Sequence, residues 1–217
     1  MITRFGSAPR MRGTGAWEFI DHWKTSHADA AGQIPGLRRY HQNHPIKIDG
    51  RRPFGYVGFD AGSELDFDSV EAMRAGFASE VYQTAVRADE DAFVDKSRFS
   101  LVVAAKENLV DGPEEGVKLL SFLTVHPGSD LEAMLGAVRG PYAAETAAAS
   151  RHDLFGAIPG GSDPIPQACD AVDILWFPDE VAMGEFLDSE AWDRATWELA
   201  GRAFGVARLA ARPFPVV

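Results

Sequence analysis

The chain repeats itself at a fixed spacing, and this repeat constrains its fold more than any other feature. The segment DAGSELDFDSVEAMRAGFASEVY, which begins at Asp60, aligns without a gap with DAVDILWFPDEVAMGEFLDSEAW, which begins at Asp170. The offset is 110 residues, and eight identities and one aromatic pair share it. A repeat of this length indicates that one structural unit occurs twice.

Each copy reads as β-α-β-β-α-β. In the first copy, helical periodicity covers about 16–31 and strand-like segments cover about 37–47, 63–67 and 98–110. A further strand at 2–9 is weak because it contains glycine and ends at proline. The acidic, turn-rich segment 111–116 separates the two copies.

The repeat and this element order together predict an α+β fold. A single β-α-β-β-α-β unit forms a four-stranded antiparallel sheet with helices on one face, and its other face needs a cover. We therefore predict two tandem ferredoxin-like units, residues 1–110 and 111–217, that close on each other as a pseudo-dimeric α/β barrel.

Strand alternation in the segment 63–67 predicts which side chains enter the barrel. Successive side chains of a strand point to opposite faces, and the apolar ones should face the helices. Leu65 and Phe67 are then directed towards the helices, and Glu64 and Asp66 towards the barrel interior.

The matching strand of the second copy is apolar on its interior face, where Ile174 and Trp176 replace the two carboxylates. Carboxylates opposite an aromatic wall suit a pocket that performs acid–base chemistry on an aromatic ligand. Loss of solvation there would raise the pKa of a carboxyl group. The alternative is a wet barrel mouth in which the carboxylates are solvated or paired with Arg38 or Arg39.

A histidine lies at the end of an apolar helical stripe in the first copy. Phe19, Trp23 and His27 are four residues apart and therefore share one face of the helix, which Pro35 and Gly36 then end. His27 is either the start of a site or a histidine that is satisfied at a helix end.

The strand LRRYHQNH, which begins at Leu37, is polar on both faces, so its orientation stays open. One face carries Arg39, His41 and Asn43, and the other carries Tyr40, Gln42 and His44. Tyr40 could donate to a carbonyl or phenolate, or it could form a cross-strand aromatic pair.

Three other polar residues lie in the second copy. Tyr142 could reach the cavity from that copy or serve only in packing, and His126 and His152 are predicted at the surface.

These residues resemble the EthD family of dimeric α/β-barrel proteins. The resemblance lies in F-x3-W-x3-H-A from Phe19, in PGLRRY-x-x-N from Pro35 and in D-A-G-x-E-L-x-F-D-S from Asp60. The second half keeps D-A-x3-L-x-F but has Tyr142 where His27 lies in the first half, so it looks like a diverged, fused copy. The resemblance implies the barrel fold and, less specifically, small cofactor-free enzymes that act on aromatic, lactone or polyketide-derived molecules.

Composition excludes several other classes of function. The formal net charge of −11 argues against nucleic acids and anionic membrane surfaces as partners. No signal peptide or long apolar segment is visible, which predicts a soluble, cytoplasmic protein. With Cys169 as the single cysteine, no internal disulfide can form.

No cofactor or metal is expected. A metal site of Glu64, Asp66 and His27 would be visible only in three dimensions, and the sequence has no G-x-x-D-G haem signature, nucleotide-binding loop or G-x-S-x-G nucleophile motif.

We therefore expect a cofactor-independent lyase or isomerase, of the decarboxylation or dehydration type, that acts on a small aromatic or polyketide-like molecule. His27 would be the general acid or base with Glu64 or Asp66 as its partner. The expected substrate-binding residues are Trp23, Arg39, Tyr40, His41, Tyr142, Ile174 and Trp176. The alternatives are a non-catalytic carrier of a hydrophobic small molecule and a cofactorless oxygenase. Association of two chains as a homodimer is compatible with the sequence.

Overall fold

The computed structural model describes residues 1–217 and has a mixed α+β fold, in which eight strands form one closed antiparallel barrel. The order around the barrel is β1-β3-β2-β8-β5-β7-β6-β4. The strands are β1 (Ile2–Ala8), β2 (Leu37–Pro45), β3 (Ala61–Phe67), β4 (Ser100–Val110), β5 (Val117–Val125), β6 (Arg151–Ala157), β7 (Ala171–Phe177) and β8 (Ala203–Pro215).

Helices cover the outside of the barrel. They are α1 (Ala16–His22), α2 (Ala28–Ala31), α3 (Val70–Ala78), α4 (Arg87–Phe93), α5 (Leu131–Ala137), α6 (Ala143–Glu145), α7 (Glu180–Leu187) and α8 (Glu190–Ala200). Three π-helical turns, Trp23–His27, Tyr82–Val86 and Val138–Tyr142, join α1 to α2, precede α4 and join α5 to α6. None of the helices combines the length and apolar character needed to cross a bilayer.

The element order β-α-β-β-α-β occurs twice along the chain, once up to β4 and once from β5. The two halves join through antiparallel pairing of β2 with β8 and of β4 with β6. The predicted strands agree with those observed to within two or three residues at each end.

The first strand is stronger than its composition suggests. Residues Ile2–Ala8 pair with β3 on one side and with β4 on the other, so β1 is a central strand of its half. A side chain at Gly6 would place a Cβ only 2.6 Å from the Ser63 hydroxyl and 3.1 Å from the Phe99 ring. Glycine therefore permits close packing here and does not interrupt the strand.

The predicted alternation in β3 is confirmed. Leu65 and Phe67 pack in the cluster between the sheet and the helices of the first half, whereas Glu64 and Asp66 point into the barrel. In the second half Ile174 and Trp176 belong to the apolar cluster of the barrel interior. The two faces of the closed sheet thus carry separate cores, and a functional residue can be assigned to one or the other.

The helix predicted over 16–31 contains a π-helical turn at Trp23–His27. Phe19, Trp23 and His27 are nevertheless all buried, with 0%, 1% and 6% of their surfaces exposed. Both π turns of the first half supply residues to the pocket described below, which accords with the frequent occurrence of such turns at functional sites.

Candidate functional site

A pocket of about 390 Å³ lies between the helices and the outer face of the sheet in the first half. Of its 18 lining residues 12 are hydrophobic, which suits an aromatic or aliphatic ligand body. The other six are Arg4, His27, Ser63, Arg87, Glu90 and Lys96. The pocket therefore joins an apolar body to a few polar groups that could orient a ligand.

Asp89 on α4 holds the His27 ring in a fixed orientation. Its Oδ2 lies 2.8 Å from His27 Nδ1 and its Oδ1 lies 2.6 Å from His22 Nε2. A carboxylate can only accept, so His27 donates through Nδ1, and its Nε2 has no hydrogen-bond partner in the protein. Because the ring lines the pocket, Nε2 is the nitrogen available for proton exchange with a bound molecule.

The surroundings of Asp89 favour its ionised form. Burial alone would raise the pKa of the Asp89 carboxyl, but hydrogen bonds from His27 and His22 outweigh burial and lower it. The ring of Phe93 packs against both imidazoles, with centroid distances of 5.1 Å to His27 and 4.6 Å to His22. Asp89 thus acts as a positioning residue for His27.

Arg4 on β1 places a cation in the pocket. Its guanidinium lies 4.4 Å from the centroid of Phe77 and 5.5 Å from that of Phe99, and it forms no hydrogen bond or ion pair within the protein. Burial lowers the pKa of Arg4 from its usual value, although arginine remains protonated in proteins. A half-buried cation without a carboxylate partner is suited to an anionic group of a ligand.

Two tyrosines of the pocket are kept as neutral phenols. Burial raises the pKa of Tyr40 and of Tyr82 above the usual range of a phenol. The Tyr40 oxygen accepts a hydrogen bond of 3.3 Å from Gln42 Nε2, and the Tyr82 hydroxyl donates one of 3.1 Å to Glu90 Oε2. Both phenols keep their protons near neutral pH.

A single lining residue comes from the second half of the chain. Ile165 lies in the loop between β6 and β7 and is 45% exposed although it is apolar. Arg74 Nη2 donates a hydrogen bond of 2.8 Å to the carbonyl of Gly160, and Gln167 Oε1 accepts one of 3.1 Å from the amide of Val103, which fastens this loop to the first half.

The carboxylates expected in the site lie inside the barrel, where they are neutralised. Lys118 Nζ lies 2.6 Å and Arg39 Nη2 2.8 Å from Glu64, while Arg39 Nε lies 2.7 Å and the Thr3 hydroxyl 2.6 Å from Asp66. Burial alone would raise the pKa of Glu64, but Lys118 and Arg39 lower it to about 2. The expectation of a raised pKa at Glu64 is therefore wrong, because a buried lysine faces it.

The sheet separates the residues expected to form one site. His27, Trp23 and Tyr40 line the outer pocket. The residues inside the barrel are Glu64, Asp66, Arg39, His41, Ile174 and Trp176. The structure thus groups these residues in two separate places, the outer pocket and the barrel interior. It does not place His27 beside the two carboxylates.

The barrel interior keeps polar atoms without partners. The buried atoms His41 Nδ1, Asn43 Oδ1 and Trp176 Nε1 have none, and Lys118 Nζ lies 4.7 Å from the Trp176 ring centroid. Burial and the nearby charge of Lys118 lower the pKa of His41 to about 4. His41 is therefore neutral at physiological pH.

Tyr142 lies on the outer face of the second half and does not reach the first-half pocket. It packs against His152, with ring centroids 6.0 Å apart, and His152 Nε2 lies 2.5 Å from Asp173 Oδ1. His152 is only 1% exposed, so its predicted surface position is wrong, whereas His126 is exposed as expected.

Sequence reasoning missed Arg4 and Asp89. Arg4 could have been found from the sequence. Side-chain alternation from Ile2 places the Arg4 charge on the apolar, helix-facing side of β1, where a charged residue is unusual. Asp89 lies within the acidic run RADEDAF, where nothing in the local sequence distinguishes its carboxylate from those of its neighbours.

Comparison with known protein families finds a match within the first half of the chain. The EthD domain family matches residues 12–97, a range that contains Trp23, His27 and Asp89. No curated protein has a significantly similar sequence.

Solved structures share the fold over nearly the whole chain. An anthrone oxidase-like protein has a TM-score of 0.69 at 10% identity, over 99% of this chain and 93% of that chain. A candidate monooxygenase from Lactobacillus acidophilus NCFM has a TM-score of 0.59 at 11% identity, over 98% and 93%. Chlorite dismutase from Candidatus Nitrospira defluvii has a TM-score of 0.50 at 7% identity, over 99% and 91%.

At such low identities these structures establish only the fold, a closed α+β barrel. The family match is what identifies the domain. The chain therefore carries an EthD domain, which occupies residues 12–97 within its first half.

Proposed function

We propose that the chain is a cofactor-independent lyase or isomerase that acts on a small aromatic or polyketide-like molecule bound in the first-half pocket. The observation that carries this proposal is the His27 imidazole, which Asp89 holds at 2.8 Å through Nδ1 while the ring lines a mainly apolar pocket of about 390 Å³. An imidazole oriented by a carboxylate is the usual arrangement of a general base.

In this proposal His27 Nε2 removes or returns a proton at the substrate. Decarboxylation and dehydration both pass through a delocalised anion, and a preorganised cation stabilises such a charge as it develops. Arg4 would hold the carboxylate or phenolate of the substrate, and the neutral hydroxyl of Tyr40, whose proton has no acceptor in the protein, would donate a hydrogen bond to it. Trp23 would pack against the ring.

Arg4 takes the role that the sequence assigned to Arg39, because Arg39 is occupied by Glu64 and Asp66 inside the barrel. Those two carboxylates are proposed to hold the barrel together and not to exchange protons with the substrate. The low pKa of Glu64 supports this change of role, since a carboxylate that stays ionised is a poor acid.

A second candidate function is a cofactorless oxygenase. It is favoured by the likeness of the fold to proteins whose names give them as an anthrone oxidase-like protein and a candidate monooxygenase. The same base would form a substrate carbanion that reacts with dioxygen. The pocket geometry is compatible with either reaction, and dioxygen uptake distinguishes them.

We also infer that residues 1–110 and 111–217 are tandem ferredoxin-like units fused into a pseudo-dimer. The strand order β4-β1-β3-β2 in one half and β8-β5-β7-β6 in the other supports this inference. So does the offset of 110 residues between the sequences of the two copies.

The test is an assay of purified protein with anthrone and with hydroxylated aromatic acids, in air and without dioxygen. A lyase or isomerase converts its substrate at the same rate in both conditions, and an oxygenase does so only in air. His27→Gln should lower turnover by roughly 10²- to 10⁴-fold. The matched control is His126→Gln, a change at an exposed histidine. Full turnover in the His27 variant would refute the proposal, and ligand binding without any conversion would indicate a carrier.

A further inference from the structure

A second cavity, of about 200 Å³, opens at one end of the barrel on the inner face of the sheet. Phe5, Val102, Phe122 and Ala207 come from four strands of the barrel wall, and the loops before β3 and β7 close over it. This cavity shares no lining residue with the pocket around His27. It is therefore a separate space, and nothing in the proposed function uses it.

The two polar side chains of the cavity lining already have hydrogen-bond partners. Nine of its 11 lining residues are hydrophobic, and the other two, Ser7 and Ser100, bind each other. Their hydroxyl oxygens lie 2.7 Å apart, and the Ser100 amide donates a hydrogen bond of 3.0 Å to the Ser7 hydroxyl. A water molecule needs two to four polar partners, so water gains little by entering.

No charge faces the cavity either. Cys169, at its rim, is buried, and burial together with nearby Asp170 raises the pKa of its thiol to about 12. The thiol therefore stays neutral near physiological pH. An anionic ligand would lose its hydration here and gain no charged partner. This cavity therefore disfavours anions, whereas the pocket with Arg4 favours them.

Three aromatic rings, those of Phe5, Phe59 and Phe122, line the cavity. Phe59 and Phe122 meet edge to face with centroids 5.8 Å apart, and Phe5 packs in the same way, at 5.0 Å, on Phe155 behind it. Edge-to-face packing of this kind extends favourably to one more ring placed between the walls.

We infer that the barrel end is a second ligand site, which takes a neutral single-ring aromatic or an apolar molecule of similar size. The volume agrees with this class, because a dry apolar cavity of about 150 Å³ engineered in another protein binds benzene or xenon. The protein would then hold two chemically different ligands on the two faces of one sheet, an anionic aromatic outside and a neutral apolar molecule inside.

The test is calorimetric titration of the full chain with toluene. Ala207 faces Phe122 across the β5–β8 pair, so Ala207→Leu fills the cavity and should weaken toluene binding by about tenfold or more. Arg4→Met, in the other pocket, should leave toluene binding unchanged and weaken salicylate binding instead. Equal toluene affinity in the wild type and in Ala207→Leu would overturn the inference, as would loss of toluene binding in Arg4→Met.

A second measurement applies if the leucine variant does not fold. Wild-type crystals under xenon pressure should show a xenon peak among Phe5, Phe122 and Ala207. No peak at that position would overturn the inference, whatever the result for the pocket around His27. The two proposals therefore fail independently.

Discussion

Asp89 Oδ2 lies 2.8 Å from His27 Nδ1, although 62 residues separate the two along the chain. The contact joins α4 to the π turn that ends at His27. Since the carboxylate only accepts, the contact fixes the tautomer in which Nδ1 carries the proton and Nε2 is free. The orientation and tautomer of the proposed base, His27, therefore depend on a packing contact between two helical segments of the first half.

Asp89→Asn tests this contact. Asparagine presents an NH₂ group that can donate to His27 Nδ1, which favours the opposite tautomer, and we expect turnover to fall by at least about tenfold. The measurement combines turnover with the ¹⁵N chemical shifts of the His27 ring, which distinguish the two tautomers. Unchanged shifts together with unchanged turnover would show that Asp89 does not position the base.

Arg4→Met tests anion recognition in the pocket. Removal of the unpaired guanidinium should weaken the binding of salicylate by roughly tenfold to a hundredfold, because a charge-assisted hydrogen bond to a carboxylate is lost. Stability should stay level or rise, since a half-buried charge without a partner is removed. Fluorescence titration and thermal unfolding measure the two effects. Arg202→Met, at an exposed site, is the control and should change neither. Equal salicylate affinity in Arg4→Met and the wild type would contradict the account.

The sequence specified the fold in more detail than it specified the site. Period-two alternation was enough to place Leu65 outside and Glu64 inside the barrel, because a strand has only two faces. It could not reveal that Lys118, 54 residues away, meets Glu64 at 2.6 Å, since that contact depends on how the two halves close. The expected pairing of His27 with Glu64 is wrong for a different reason: both residues lie in the first half, but on opposite faces of its sheet.

Local composition does not reveal the roles of two other residues. Gly6 made β1 look weak, yet its missing side chain is what allows Ser63 to pack against the strand. Asp89 lies in a run of similar carboxylates, and only the position of α4 against the π turn shows that the Asp89 carboxylate is the partner of two histidines.

The buried pair of Glu64 and Lys118 predicts a pattern of stability changes. Glu64→Gln leaves the Lys118 charge buried and uncompensated on that side, which should lower the free energy of unfolding by roughly 3–5 kcal/mol. The double variant Glu64→Gln/Lys118→Met removes both charges and should recover most of the loss. Urea denaturation at neutral pH measures both. A double variant as unstable as the single one would mean that the pair is not coupled.

Two histidines predict how stability depends on pH. Burial, together with Lys118 for His41 and Lys24 for His44, lowers both pKa values to about 4. The unfolded chain binds these protons below about pH 6.5, so the free energy of unfolding should fall between pH 6.5 and pH 4 and level off below that for these groups.

Urea denaturation across this range, compared with His41→Gln and with His44→Gln, isolates each contribution. Each variant should show a shallower decline between pH 6.5 and pH 4 than the wild type. Parallel pH profiles in all three proteins would contradict the lowered pKa values. Between about pH 4.5 and pH 2 the wild type should lose further stability, because the unfolded chain binds a proton at Glu64 whereas the folded chain, in which the pKa of Glu64 is about 2, does not.

The most direct test of the central proposal is a crystal structure of the protein soaked with salicylate. The account predicts the carboxylate at the Arg4 guanidinium, the ring between Trp23 and Tyr40, and His27 Nε2 facing the ligand across the pocket. Salicylate bound inside the barrel beside Lys118 and Trp176, with the outer pocket empty, would contradict it.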